Sequence, residues 1–532
     1  MGAIRLLDCT LRDGGYINDW EFGYPNLISV FERVVNAGVD VVEVGFLDER
    51  RKFDINRSIM PDTECVQKIF GKIDKKDAII VGMIDYGTCP IENLQPCSES
   101  YLDGIRVIFK KHLMYEAMEF CRQVKALGYK VFSQLVSITS YSDDELDELI
   151  RLANEVKPFA VSMVDTYGLF YKDNLMHYFN RLDEYLNPEI GLGYHSHNNF
   201  QLAYSNCMEI LRKKIKRDIL LDATLYGMGK SAGNAPIELL AMHMNEDYGK
   251  DYDISQILEA IDGNIMKIYQ EKPWGYNLFY YLAASNSCHP NYVQFLMDKH
   301  TLSIKSINTV LNRIDFEKKL LYDEKHIEQL YYEHQKKECN DTEARHELTE
   351  RFSGKKILVL GPGKTIVEDK AKILKFIEDE KPIVMSINFI PDDYPVEYVF
   401  LSNPRRYISL LRKLRYEDKK VQIIATSNVT ETKGNFDFTL NNEALLDRDA
   451  VVMDYSFVML LKVLMDKKVD TVFCAGLDGY AENGSNYAAE EMEYWFARRN
   501  AGILNNYVKE FLKDIAGDFQ VEFLTETFYL DK

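Results

Sequence analysis

From residue 3 to about 250 the sequence alternates short apolar runs with longer amphipathic ones, eight times in succession. The apolar runs cover residues 4–11, 39–46, 78–85, 104–109, 130–137, 160–166, 190–197 and 219–226. They are rich in valine and isoleucine and apolar throughout, the pattern of strands buried on both faces. Residues 115–127 and 143–156 read as two of the helices between them, the second opened by Ser142 with Glu145 three residues on, a capping box. Eight β-then-α units in about 250 residues predict a closed (β/α)8 TIM barrel in preference to an open doubly wound sheet.

At 532 residues the chain exceeds one ordinary core, and the pattern changes after the eighth unit. We expect a barrel domain over residues 1–250, a helical extension over 251–315 and a charged, solvated helical connector over 316–354. A second, Rossmann-like α/β domain follows over 355–532, with strands at 357–360, 383–387, 398–402, 422–425 and 471–475. Acidic residues outnumber basic ones, 83 to 64, and a net charge of −19 argues against a nucleic-acid partner. The most apolar stretches are strand-length, far short of the roughly 20 residues of a membrane span. The opening strand leaves no room for a signal peptide, and nine cysteines without a CxxC pair fit a reducing cytoplasm.

Function in a TIM barrel sits at the carboxyl ends of the strands, so polar residues there carry the chemistry. The first run ends in Arg12-Asp13-Gly14-Gly15-Tyr16, the seventh in His195-Ser196-His197, and Gly227–Asn234 follows the eighth. Two histidines at i and i+2 leave a strand on the same side. With Asp13 they make a two-histidine, one-carboxylate set that suits Mn²⁺, Mg²⁺, Co²⁺ or Fe²⁺, or a catalytic Zn²⁺, and Asn234 adds a neutral oxygen. Glu43, ending the second run, is expected in the site beside Arg12. Asp165 and Thr166 end the sixth run and are expected to shape the site and meet substrate. Arg106 and Lys110 on the fourth run are read as cations facing an anionic substrate, and Asp8 as a structural carboxylate.

The segments LLDCTLRDGG, HSHNNFQLAYSN and DATLYGMGKSAGNAPIE resemble the DRE-TIM metallolyase superfamily over residues 3 to about 310. That superfamily includes 4-hydroxy-2-oxovalerate aldolases, 3-hydroxy-3-methylglutaryl-CoA lyases, and isopropylmalate and homocitrate synthases. The GMGKSAGNAPIE stretch looks most like the aldolases. The resemblance implies Asp13, His195 and His197 as metal ligands, Arg12 as the residue stabilising an enolate, and a 2-oxo acid with an aldehyde-type partner as substrate. It also implies a functional tyrosine near Tyr276. Where the aldolases carry a histidine base, this sequence has Tyr16, a phenol that serves as a base only if strongly perturbed.

The expected activity is divalent-metal-dependent carbon–carbon lysis of a 2-oxo acid through a pyruvate-type enolate. The alternatives are an acyl-CoA-dependent Claisen synthase and a barrel that binds metal and ligand without catalysis. In the second domain, LGPGK at a strand-to-helix turn places Gly361, Gly363 and Lys364 where backbone amides would cradle a phosphate or nucleotide. With VFLSNPRRY and VFCAGLDGY it resembles MptE-like and motility-accessory-factor domains, some of which act on pterins or nonulosonic sugars. Arg405, Arg406 and Asp478 are the candidate ligand contacts, and sugar-acid or surface-polysaccharide biosynthesis is the expected setting. Homo-oligomerisation is the habit of such barrels, and no feature of the sequence sets a subunit number.

Overall fold

The computed structural model describes residues 2–299, 302–336, 338–416, 421–429, 436–447, 450, 452–489, 492–493 and 495–531. The chain divides into two compact units, Met1–Cys288 and His289–Lys532.

The first unit is built on parallel strands β1 (Ile4–Asp8), β2 (Val41–Leu47), β3 (Ile59–Met60), β4 (Ile79–Asp85), β5 (Gly104–Phe109), β6 (Lys130–Leu135), β7 (Ala160–Asp165), β8 (Gly191–Ser196) and β9 (Ile219–Ala223). Because β1 pairs with both β9 and β2, eight of them close into a barrel, and β3 is a short addition alongside β2. All eight predicted runs are strands, and helices such as Met114–Ala126 and Asp143–Val156 alternate with them. The capping box of Ser142 and Glu145 forms as expected.

Side-chain period two layers the interior. Leu7, Val41, Val81, Phe132, Ala160 and Leu220, one from each of six strands, form an apolar plug. Two residues further along four of those strands stand Glu43, Gln134, Ser162 and Asp222, all buried, so the next layer is polar. Arg106 of β5 joins that layer and donates to Gln134 Oε1 (2.9 Å), whose amide donates to Ser162 Oγ (3.1 Å). Gly193 makes room there, because a Cβ at this position would lie 2.0 Å from Ser162 Oγ.

The helices between residues 254 and 285 continue the barrel unit. Ile257, Ile261, Ile265 and Trp274 join its core, and Trp274 Nε1 donates to the Tyr226 carbonyl (2.9 Å), bracing the segment that follows β9.

The second unit holds a parallel sheet of β10 (Lys356–Leu360), β11 (Ile383–Ile387), β12 (Tyr398–Leu401), β13 (Gln422–Thr426), β14 (Phe438–Leu440), β15 (Thr471–Ala475) and β16 (Val521–Phe523), in the order β14-β13-β12-β11-β10-β15-β16. The five predicted strands are present, and β14 and β16 add to them. Residues 316–354, expected as a solvated connector, contain helices Glu324–Gln335 and Thr342–Phe352, which bury Ile327, Tyr331, Leu348 and Phe352. Their charges mark one face, and the apolar face packs within this unit. No helix among the described residues is long and apolar enough to cross a membrane.

Candidate functional site

The motif residues converge where the barrel strands end. β1 stops at Asp8, and Thr10–Asp13 form a single helical turn instead of prolonging the strand. The Asp8 carboxyl is the cause: it accepts from the Thr10 amide (3.2 Å) and hydroxyl (2.6 Å), and so starts the turn. Burial, the largest influence on it, pushes Asp8 up to about 7. The turn sets Arg12 and Asp13 inward, 4% and 1% exposed.

His195 lies on β8, and His197 just beyond it bridges to Asn234, knitting the HSHNN segment to the glycine loop after β9. The Asn198 amide donates to the Gly233 carbonyl (2.8 Å), and the Ala232 amide to Asn199 Oδ1 (3.0 Å). The loop runs tight against the site: a Cβ on Gly229 would meet Asn234 Nδ2 at 2.1 Å and Asp13 Oδ2 at 2.4 Å.

One ligand atom from each of Asp13, His195 and His197 lies within 4.8 Å of the other two. Each imidazole is held through Nδ1, His195 against Asp222 Oδ2 (3.0 Å) and His197 against the Lys230 carbonyl (3.1 Å). Those contacts fix the tautomer that leaves Nε2 as the donor atom turned to the group. Burial pushes His197 down to about 3, so its ring is neutral and able to ligate. Burial would raise Asp13, but the Arg12 guanidinium beside it holds its carboxyl well below the usual range. Asn234 donates from Nδ2 to Asp13 Oδ2 (2.5 Å), while its Oδ1 is buried without a hydrogen-bond partner.

Beneath this group runs a buried ionic network. Arg12 donates to Glu43 Oε2 (2.7 Å) and Asp13 Oδ1 (2.5 Å), and Arg106 pairs with Glu43 (3.1 Å) and Asp222. Three carboxylates thus face two guanidiniums, and the surplus negative charge suits a cation. The donor set, the neutral His197 ring and the orphaned Asn234 oxygen all fit a divalent ion.

The sequence-level expectation for Arg106 is corrected here. It is wholly buried and bound to Glu43 and Asp222, so it braces the site instead of facing substrate. Glu43 likewise lies under Arg12, fully buried. Asp165 accepts from the Leu169 (2.7 Å) and Phe170 (3.0 Å) amides, and Thr166 accepts from the Ser137 amide (2.8 Å), so both spend their polar atoms on loop shape. Tyr276 is 54% exposed, packs edge-on against Tyr281 and makes no hydrogen bond among the described residues. Tyr16 is 42% exposed and stands with Trp20 and Phe46 as an aromatic collar over Arg12. Desolvation first, then Asp13, pushes Tyr16 up to about 12, which suits a hydrogen-bond donor and not a base.

Asp222, Trp20, Phe46 and Lys230 were not singled out from the sequence. For Asp222 the signal was available, a carboxylate inside the apolar run ILLDA. The Lys230 ammonium is pushed below its usual value, chiefly by desolvation.

In the second unit the LGPGK turn does not offer a free phosphate cradle. Gly361 and Gly363 amides donate to the Ala475 and Gly476 carbonyls (2.8 Å each), and the Thr365 amide donates to Asp478 Oδ2 (3.0 Å), so a carboxylate already fills the anion position. Arg405 is exposed, and Lys364 does not line the nearby cavity. That cavity, about 130 Å³, lies at the carboxyl ends of β10, β11, β12 and β15 and is lined by Gly363, Asn388, Arg406, Asp478, Tyr487 and Tyr529 among others. This is the switch point of the strand order, where such sheets bind ligands.

Comparison with known proteins bears on the barrel. Residues 3–262 match the HMGL-like family model. Over 243 residues the chain is 26% identical to 4-hydroxy-2-oxovalerate aldolase 2 of Salinispora arenicola, covering 46% of this chain and 68% of the relative. It is 24% identical to oxaloacetate decarboxylase of Mycobacterium tuberculosis (51% and 80% covered) and 24% identical to 2-isopropylmalate synthase of Saccharolobus solfataricus (49% and 69%). Residues 3–262, the barrel of this chain, are an HMGL-like domain.

Proposed function

We propose that the barrel is a divalent-metal-dependent carbon–carbon lyase acting on a 2-oxo acid. The observation that carries this reading is the group of Asp13, His195 and His197, its imidazoles turned so that Nε2 is the free donor, beside the unpartnered Asn234 oxygen. A bound Mn²⁺, Mg²⁺ or Co²⁺ would supply Lewis acidity to a keto oxygen. Asp13, His195, His197 and Asn234 are the residues that would hold it.

The protein's own residues do the rest. Arg12, locked by Glu43 and Asp13, offers a fixed guanidinium to the negative charge that develops on the keto oxygen as the enolate forms, and pays no reorganisation for doing so. Tyr16 keeps its proton and donates a hydrogen bond at the rim, while Trp20 and Phe46 limit water around Arg12. Trp20 also donates to the Arg12 carbonyl (2.8 Å), which holds the turn in place. A relative named 4-hydroxy-2-oxovalerate aldolase and one named oxaloacetate decarboxylase support 2-oxo acid chemistry.

The test is exchange of the pyruvate methyl protons in D₂O, followed by NMR on chelator-stripped protein with Mn²⁺ or Mg²⁺ restored, beside His195→Ala. Metal-dependent exchange lost in the variant supports the reading. Absence of exchange by metal-loaded wild type refutes it. Similarity to an isopropylmalate synthase favours a second reading, condensation with an acyl thioester, which predicts thiol release from acetyl-CoA when a 2-oxo acid is present.

A further inference from the structure

Lys230 belongs to the glycine loop after β9, and its main chain is already part of the site. Its amide donates to Asp13 Oδ2 (3.1 Å) and its carbonyl accepts from His197 Nδ1 (3.1 Å). The side chain is therefore anchored beside two members of the candidate metal group. Its ammonium ends over the Tyr16 ring, 5.2 Å from the centroid. Among the described residues it makes no hydrogen bond and no ion pair within 4.0 Å.

The neighbouring guanidiniums are committed: Arg12 to Glu43 and Asp13, Arg106 to Glu43 and Asp222, Arg50 to Asp48. Asp13 and Asp85, the latter at the end of β4, act on this charge through space, and neither carboxylate comes within 4.0 Å of the ammonium. A half-buried ammonium over an aromatic face, with no carboxylate within 4.0 Å among the described residues, lacks the contact anion that normally accompanies such a charge. Depth says which part of a substrate would supply it. Arg12, Asp13, His195 and His197 are at most 5% exposed, whereas Tyr16, under Lys230, is 42% exposed. A 2-oxo acid that sets its keto-acid end against the buried group turns its other end toward Tyr16 and Lys230.

We propose that Lys230 receives a second carboxylate at that distal end, so that the site selects 2-oxo dicarboxylates over 2-oxo acids with an uncharged tail. The proposal rests on the reading of the barrel as a 2-oxo acid site.

Titration calorimetry of the full chain with Mn²⁺ tests it with two probes, 2-oxoglutarate and 2-oxopentanoate, of equal length and differing in a terminal carboxylate against a methyl. Wild type is expected to bind 2-oxoglutarate about tenfold tighter or more, the scale of one charge-assisted hydrogen bond. Lys230→Met brings the ratio to near one by weakening 2-oxoglutarate alone, and Lys230→Arg keeps a preference. A ratio near one in wild type, a ratio that survives in Lys230→Met, equal weakening of both acids, or no binding of either acid overturns the proposal. Equal weakening would place Lys230 on the carboxylate the two acids share. Pyruvate exchange on the same preparation separates the two claims: no exchange with the binding preference intact refutes the lyase and leaves Lys230 in its role.

Discussion

Replacing Asp222 by asparagine tests how the buried network serves the candidate metal group. Asp222 is 1% exposed, pairs with fully buried Arg106 and accepts the Nδ1 proton of His195 at 3.0 Å. The substitution keeps the shape and removes the charge, leaving Arg106 with Glu43 as its remaining carboxylate (3.1 Å). Breaking a buried pair costs about 3–5 kcal/mol, and retention of Glu43 puts this case near 3. At about 2–4 °C per kcal/mol, the metal-free barrel should melt roughly 6–12 °C lower. A second effect is separate. An asparagine amide can donate to Nδ1 as readily as accept from it, so His195 is no longer held with Nε2 as the donor atom. Loss of such a partner lowers metal affinity by about 10–100-fold, or about 1.4–2.8 kcal/mol. Calorimetric titration of Mn²⁺ into chelator-stripped wild type and Asp222→Asn measures this directly. If the variant binds Mn²⁺ within about threefold of wild type, the tautomer argument is wrong and Asp222 serves stability alone.

Gly229→Ala should cut Mn²⁺ affinity by about tenfold or more, because the added methyl would overlap Asn234 and Asp13; unchanged affinity would show that the loop yields at no cost. Tyr16→Phe should lower kcat for pyruvate exchange by about tenfold or more while leaving the pH profile between 6 and 9 unmoved, since a phenol held near 12 does not titrate there; a lost or shifted pH limb would make Tyr16 the base after all. Burial raises Asp165 to about 7, so its folded form holds a proton that the unfolded chain releases near pH 3.8, and its share of stability, full below pH 3.8, is lost as pH rises through 7. Melting curves of Asp165→Asn between pH 4 and 8 should therefore be flatter than those of wild type, and parallel curves would reject the shift.

The sequence alone determined the barrel, because strands buried on both faces must be continuously apolar and eight of them leave few other closures. It also marked the ends of the first and seventh runs and the glycine loop, because polar residues interrupting apolar runs are visible one residue at a time. In the second unit it read five strands from the same apolar signal, but missed the three-residue strands β14 and β16, which are too short to show a period. What tertiary structure decided were relations between distant residues. Whether Arg106 faces substrate or an ion pair depends on Glu43 and Asp222, 63 and 116 positions away along the chain, and the local pattern carries no trace of either. The LGPGK amides likewise read as a phosphate cradle until Asp478, 113 residues on from Thr365, is found in the anion position. Lys230 looked like one more polar residue in a loop. Only the fold sets its backbone against Asp13 and His197 and leaves its ammonium with no carboxylate in contact, because burial and partnership belong to the packed chain and not to any one segment of it.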